Sequence, residues 1–268
     1  MAEEKQAKTI QSVHRALDLL ECIADSGYGY RLGEVAARCG LNKTTAFHLL
    51  KTLESRGYIE QSYDTQYYKV GWKTLETFGD VYKKMDSPAI AMPYMERICA
   101  RLDETVSLYY YVKMGERYKG ICLAQLESEQ PLRYTSRVGA RIPLHCTAAG
   151  KVRFLGYSSQ MLAEQLELLD FEAHTPATVT DKQTLADQLE VIRRQGYCIE
   201  REEYQPGICS VAVPLFKYTG RVTYALAVEV PAARADEERL SQIAAVMMEE
   251  LSGAVTHPDF LFKGAPLK

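Results

Sequence analysis

The stretch GLNKTTAFHLLKTLESRG, Gly40 to Gly57, decides how the N-terminal third of the chain folds. Ala46, Leu49, Leu50 and Leu53 recur at helical spacing as one apolar stripe, while Thr44, His48, Lys51 and Ser55 fall on the opposite, polar face. Asn42 stands just before that stripe, where its side chain caps the free amides of Lys43 to Thr45. Gly40 ends a shorter stripe, Leu32, Val35, Ala36 and Cys39, so two short helices meet across a tight turn. Upstream, Val13, Ala16, Leu17, Leu20 and Ile23 predict a first helix with Ser12 as its N-cap, ended by Gly27-Tyr28-Gly29. Downstream of Arg56-Gly57 the period switches to that of strands. Tyr58 to Gln61, a polar turn at Asp64-Thr65-Gln66, and Tyr67 to Val70 predict a hairpin, the wing. Residues 1–71 are therefore expected to form a winged helix-turn-helix domain.

Trp72, Leu75, Phe78, Tyr82 and Met85 make a further helical stripe that breaks at Asp86-Ser87-Pro88, and residues 72–87 are expected to be a linker helix. Its stripe is wider than one domain needs, which suits pairing with a second copy. Residues 88–258 alternate between the two periods and predict a mixed α/β domain, giving an α+β chain overall, with 259–268 as a tail. Helices are expected at Ala89 to Leu102, Thr147 to Phe154, Ser159 to Leu168, Lys182 to Gln195 and Asp236 to about Val255. Strands are expected at Val106 to Lys113, Arg117 to Leu126, Leu132 to Arg137, Tyr197 to Glu202, Ser210 to Lys217 and Arg221 to Val230.

Composition narrows the class. A chain of 268 residues fits two domains that each bury a core, and a net charge of −3 supplies no bulk attraction to nucleic acid or anionic lipid, so any basic patch is local. The charged start, Met1 to Lys8, lacks an apolar core segment, and no apolar run approaches a membrane span; the chain is expected to be cytoplasmic, with no membrane partner. Seven cysteines, an odd number without any CxxC pair, argue against a disulfide framework and a structural zinc site.

The first turns of a recognition helix meet base edges in the major groove while neighbouring groups brace on phosphates. Lys43, Thr44, Thr45 and His48 occupy those turns; Lys51, Thr52 and Arg56 lie further along, and Lys69 on the wing is a candidate for a backbone or minor-groove contact. Pattern alone leaves an alternative open: a protein-interaction module at the N-terminus of a small-molecule-binding or hydrolytic domain.

Three blocks, IQSVHRALDLL from Ile10 to Leu20, GLNKTT from Gly40 to Thr45 and LLKTLESRGY from Leu49 to Tyr58, together resemble the IclR family of transcription regulators. The C-terminal half is similar independently, in PLHCTAAGK from Pro143 to Lys151 and in Gly196-Tyr197, Glu203, Gly207 and Ala212-Val213-Pro214. The resemblance spans nearly the whole chain. It implies a winged helix-turn-helix joined to a GAF-like effector-binding domain, and a sequence-specific regulator, a repressor, acting on a double-stranded operator as a homodimer or tetramer. Two positions depart from the family: His48 stands where an Arg is frequent, and Ser210 where a Cys is frequent, with Cys209 one place earlier.

The resemblance also implies a sensor, with no catalytic residues and no cofactor. Carried over by position, Ile142 and Leu144 give apolar wall, Glu200 and Ser210 polar wall, Ala227 and Glu229 the floor, and Tyr134 a neighbour. The amides of Ala148 and Ala149, at the start of a helix, are placed to hold a carboxylate. Two glutamates in an apolar pocket need a proton, a cation or donors, so the expected effector is an organic acid that also carries hydroxyl or amino groups. A bound metal is the next option, and the remaining alternative is that one or both face solvent or pair with Arg141 or Arg201. His145 beside Cys146 does not by itself make a thiol hydrolase, because neighbours in a loop rarely aim at each other. The string ending Gly150-Lys151 is no phosphate loop, with His145 where a Gly is needed and Val152 in place of Ser or Thr. His145, His174 and His257 lack ligand spacing, and no metal is expected.

Overall fold

The computed structural model describes residues 9–217 and 219–252, which fall into two compact units divided between Met85 and Asp86. The first unit holds helices α1 (Gln11–Ala24), α2 (Leu32–Arg38) and α3 (Lys43–Ser55), strands β1 (Ile59–Gln61) and β2 (Tyr68–Val70), and helix α4 (Trp72–Lys83). Leu19 and Ile23 of α1, Val35 and Ala36 of α2, Ala46 and Leu50 of α3, and Ile59 and Tyr68 of the hairpin bury each other in a small core. β1 and β2 pair antiparallel, Ile59 opposite Val70, and Tyr30 bridges to Tyr68 so that the wing is tied to the turn after α1. Asn42 caps α3 as its position requires, its side chain accepting from the Thr45 amide at 2.8 Å.

Two expectations fail on α1. Ser12 is not its cap: the helix begins at Gln11 with Ile10 as N-cap and no side-chain hydrogen bond there. Nor is its stripe all core, since Val13 and Leu17 are 53% and 49% exposed while Leu19 is buried. α1 carries two apolar faces, and period alone does not say which one its own domain covers.

The second unit begins with α5 (Asp86–Leu102), so Asp86-Ser87-Pro88 opens a helix where a break was expected. Pro88 sits in the first turn, whose amides have no helical acceptor, and its missing N–H costs nothing there. The unit continues with β3 (Thr105–Met114), β4 (Arg117–Leu126), β5 (Arg141–Ile142), α6 (Ala148–Val152), a 3₁₀ turn Arg153–Gly156, α7 (Ser159–Glu167) and α8 (Lys182–Gln195). It ends with β6 (Cys198–Arg201), β7 (Ile208–Phe216), β8 (Val222–Pro231) and α9 (Glu237–Ser252); the expected C-terminus of α9 at Val255, His257 and the tail lie outside the described residues.

Six strands form one antiparallel sheet in the order β5-β4-β3-β8-β7-β6. α5 and α9 pack on it near β3 and β7, and α6 packs on β6, β7 and β8. A sheet covered on both faces needs apolar residues at successive positions, which is why β7 and β8 read as almost unbroken buried runs. The expected strand Leu132 to Arg137 is a loop. Side chains take its backbone groups instead: Thr105 donates to the Tyr134 carbonyl at 2.8 Å, Gln125 accepts from the Ser136 amide at 2.8 Å, and Arg234 donates to the Leu132 carbonyl at 2.9 Å. The edge beside β4 goes to β5.

The expected helix from Thr147 to Phe154 is α6 followed by the 3₁₀ turn, and its Thr147 cap is anchored twice, accepting from the Gly150 amide at 2.9 Å and donating to the Pro143 carbonyl at 2.7 Å. Only a glycine fits at position 150, because a Cβ there would lie 2.5 Å from Leu144 Cα and 2.6 Å from the Pro143 oxygen. Gly150→Ala is expected to cost about 3 kcal/mol in urea unfolding, the upper end for overpacking; an unchanged midpoint would show that this packing is softer than its distances.

Candidate functional site

The polar face of α3 is open. Lys43, Thr44 and His48 are exposed, and Thr45 is half-buried with its amide held by Asn42. Lys43 and Lys51 share a cleft with Arg31, Phe47, Gln61, Gln66 and Tyr68, between α3, the start of α2 and the wing. Lys51 is already paired with Glu54 at 2.7 Å, and Thr52 spends its hydroxyl on the His48 carbonyl at 2.9 Å. Arg56, the C-cap, is exposed. Lys69 is not brought to this cleft: it borders a separate depression with Ser26, Gly27, Tyr28 and Gly29. Arg31 was not among the expected contacts; it lies over the Tyr67 ring, 5.3 Å from the centroid, and its place next to Leu32, one residue before a short helix, was the available signal.

In the second unit the sheet register builds a polar row inside an apolar face. Glu200 stands opposite Ser210, Ser210 opposite Glu229, and Glu229 opposite Thr105, across β6, β7, β8 and β3. A narrow cavity over this row is lined by Tyr109, Tyr134, Ile142, Thr147, Ala149, Glu200, Tyr204, Gln205, Ile208, Ser210, Ala227 and Glu229. Seven expected residues therefore meet: Tyr134, Ile142, Ala149, Glu200, Ser210, Ala227 and Glu229. Leu144 and Ala148 do not line it; Leu144 faces an outer cavity, and Ala148 is fully buried at the start of α6. Of those not expected, Tyr109 was legible, since strand alternation along Tyr109-Tyr110-Tyr111 turns its first and third members to one face. Tyr204, Gln205 and Ile208 arrive on a turn whose path no local pattern gives.

Both glutamates are buried, Glu200 at 3% and Glu229 at 5% exposure, and Arg201 is turned away onto Glu237. Glu229 accepts from Tyr109 at 2.9 Å and Ser107 at 3.0 Å, and Glu200 accepts from Ser210 at 2.7 Å and from the amide of Glu203. Burial pushes the Glu229 carboxyl up to about 8, against the pull of the Tyr109 and Ser107 hydrogen bonds. Burial likewise pushes Glu200 up to about 7, opposed by Ser210 and the Glu203 amide. Among the described residues, none of those lining the cavity is basic.

The outer cavity, about 250 Å³, is lined by residues including Arg117, Lys119, His145, Glu172, His174 and Tyr204. Beside it His145, Cys146 and His174 come together with one ligand-type atom from each within 4.8 Å of the others. All seven cysteines are free thiols, and burial pushes that of Cys146 up to about 12. Among the described residues no helix is long and apolar enough to cross a membrane.

Residues 12–62 match the family model described as IclR helix-turn-helix domain, and residues 79–255 match that of the bacterial transcriptional regulator IclR C-terminal. The chain is similar to the HTH-type transcriptional regulator XynR of Escherichia coli, 30% identical over 252 residues that cover 93% of this chain and 98% of the relative. It is also similar to the HTH-type transcriptional repressor AllR of Escherichia coli, 26% identical over 238 residues, 89% of this chain and 86% of that one. Of the solved structures, the Thermotoga maritima IclR matches with a TM-score of 0.69 at 28% identity, over 89% of this chain and 95% of that chain. An exposed helix-turn-helix face, a separate unit with an internal cavity, and agreement with both halves of one family in the same order have a single explanation: this chain belongs to the IclR family and is a DNA-binding transcription regulator.

Proposed function

We propose that the chain is a repressor released from its operator by a small organic acid carrying hydroxyl or amino groups, bound in the inner cavity of the C-terminal unit. The observation that supports this effector class is the pair of buried glutamates bordering a cavity without a basic residue. Each oxygen of both glutamates already takes one protein donor but keeps a second acceptor site, to which a bare hydrophobic acid brings nothing. A hydroxyl or ammonium supplies the donors. Its acid end goes against Thr147 and the first-turn amide of Ala149, which has no acceptor in its own helix. The cavity is only about 30 Å³, so the effector has to displace the half-buried Tyr134 and Tyr204 side chains. That displacement is the difference between two states through which binding in one unit alters operator affinity. A calorimetric screen of the full-length protein against matched acids tests the class: hydroxy or amino acids are expected to bind, and a screen in which only unsubstituted hydrophobic acids bind would sink it.

The repressor sign rests on the likeness to AllR. A sensor, not a catalyst, is supported by Cys146, since a thiol held near 12 has almost no thiolate at neutral pH with which to attack.

The working unit is a homodimer, or two dimers together. One wing contacts too few bases to specify an operator, and two-fold copies read two half-sites. The first unit has the surface for it. None of the residues of α4 is buried, with Trp72, Leu75, Phe78 and Val81 exposed by 74%, 57%, 45% and 55%, alongside the exposed Ile10, Val13 and Leu17 of α1. Changing Leu75 and Phe78 together to Glu is expected to halve the mass seen in sedimentation and lower operator affinity at least about 100-fold. An unchanged mass would move the interface elsewhere.

A further inference from the structure

We infer that His145, Cys146 and His174 form a zinc site with two nitrogen donors and one sulfur donor, open on its fourth side to the outer cavity. The three ligand-type atoms already lie within 4.8 Å of one another, against roughly 3.5 Å between neighbouring donors on a tetrahedral zinc with bonds of about 2.0–2.3 Å.

The surroundings fit a ligand set. His145 Nε2 lies 3.0 Å from the Glu172 carbonyl, so donating there leaves the Nδ1 lone pair for a metal, the arrangement that fixes metal-binding histidines elsewhere. His174 lies on a loop that is pinned down: Thr178 Oγ1 accepts from the amides of His174 at 3.0 Å and Thr175 at 2.8 Å, and donates to the Glu203 carbonyl at 2.6 Å. Its ring packs edge-on against Tyr204 at 5.1 Å. A second, independent sign is Glu203, which is 7% exposed: one of its oxygens takes the Lys151 ammonium, and the other is buried without a hydrogen-bond partner. Glu203 is close enough to act electrostatically on both His145 and Cys146, so its unpartnered oxygen is an acceptor in the neighbourhood of the cluster. Lys151 opposes a cation there, but Glu203 already neutralises it.

Nitrogen and thiolate donors with one open position suit zinc above calcium or magnesium, which prefer oxygen. Binding exchanges the Cys146 S–H bond for an S–Zn bond and releases that proton to solvent, with no change of oxidation state. Arg117 and Lys119 line the same cavity, so the exchangeable fourth ligand is water or a small anion. Tyr204 packs on His174 and lines both cavities, which puts the metal one side chain away from the inner cavity.

The test uses tag-free, full-length protein stripped with a chelator and titrated with Co²⁺, then with Zn²⁺. The expected result is one Co²⁺ per chain with a thiolate-to-cobalt charge-transfer band and tetrahedral visible bands, all displaced by one equivalent of Zn²⁺. His174→Ala removes an exposed side chain and is expected to weaken zinc at least about 100-fold. Cys146→Ser is expected to abolish the charge-transfer band, while Cys99→Ser keeps it. If Cys146→Ser fails to fold, His174→Ala decides the matter alone. No band in folded wild-type protein, a band that survives Cys146→Ser, or unchanged affinity in His174→Ala would overturn the proposal.

Discussion

Replacing Lys43, Thr44 and His48 together by alanine is expected to lower operator affinity at least about 100-fold while leaving effector affinity and unfolding temperature as they were. Each side chain that reaches a base edge or phosphate is worth about 1 kcal/mol or more, and three such losses reach the 100-fold range in each protomer. Stability stays put because all three are exposed, Thr44 and His48 on the face of α3 opposite Ala46 and Leu50 and Lys43 in the first turn. Lys51→Ala and Thr52→Ala are expected to do much less, since Lys51 is held by Glu54 and the Thr52 hydroxyl by the His48 carbonyl. Fluorescence anisotropy on a labelled operator measures both classes. A triple variant that binds like wild type would remove α3 from the interface.

The second large effect is on stability as a function of pH, and it follows from Glu229. Its folded carboxyl titrates at about 8, whereas in the unfolded chain it titrates near 4.5, and Glu200 adds a smaller shift to about 7. Between those limits the folded state holds protons that the unfolded state has released, so stability falls as pH rises. The contribution is complete below about pH 4.5 and gone above about pH 8. For Glu229 alone it amounts to about 5 kcal/mol at most, or roughly 10 °C in unfolding temperature between pH 5 and 8.5. Glu229→Gln keeps the size of the side chain and removes its titration, so the variant's unfolding temperature should decline clearly less than that of the wild type, the remaining slope coming from Glu200. Parallel curves would mean that Glu229 is ionised throughout, held by Tyr109 and Ser107 more strongly than burial opposes it.

What was legible in the chain follows from the range of each interaction. Helix-turn-helix geometry is local: Gly40, the Asn42 cap and the Ala46, Leu49, Leu50, Leu53 stripe specify it within a few turns, and the structure has it there. α1 was harder because its two apolar faces share one period, and the face that carries Val13 and Leu17 answers to nothing within its own unit. The break after α4 was legible but its place was not: it falls at Lys84 and Met85, and Pro88 lies in the first turn of the next helix, where a proline is a start. Leu132 to Arg137 has strand-like residues, but Thr105, Gln125 and Arg234 capture its backbone, and those partners are remote in sequence.

The cavity shows the same division. Glu200, Ser210, Ala227 and Glu229 lie on regular strands, where alternation and register fix which side they face. Tyr204 and Gln205 sit on a turn, and turns report their position only in three dimensions. The histidines are the sharpest case. His145 and His174 have no ligand spacing along the chain, yet the loop after α7 folds back and sets their rings 6.0 Å apart. Ligand spacing in sequence detects metal sites built on one hairpin or one helix, and misses those closed by a returning loop.

Everything said about DNA stands on α3 offering its polar face to a duplex. Selection from random duplexes by full-length protein in about 50 mM salt, followed by sequencing and a salt titration of the winner, examines this without assuming an operator. Enrichment of an inverted repeat is expected, with an affinity that falls roughly 1000-fold by about 200 mM salt as phosphate counterions are released. Equal recovery of all sequences, or no retention of any duplex at the lower salt, would contradict it.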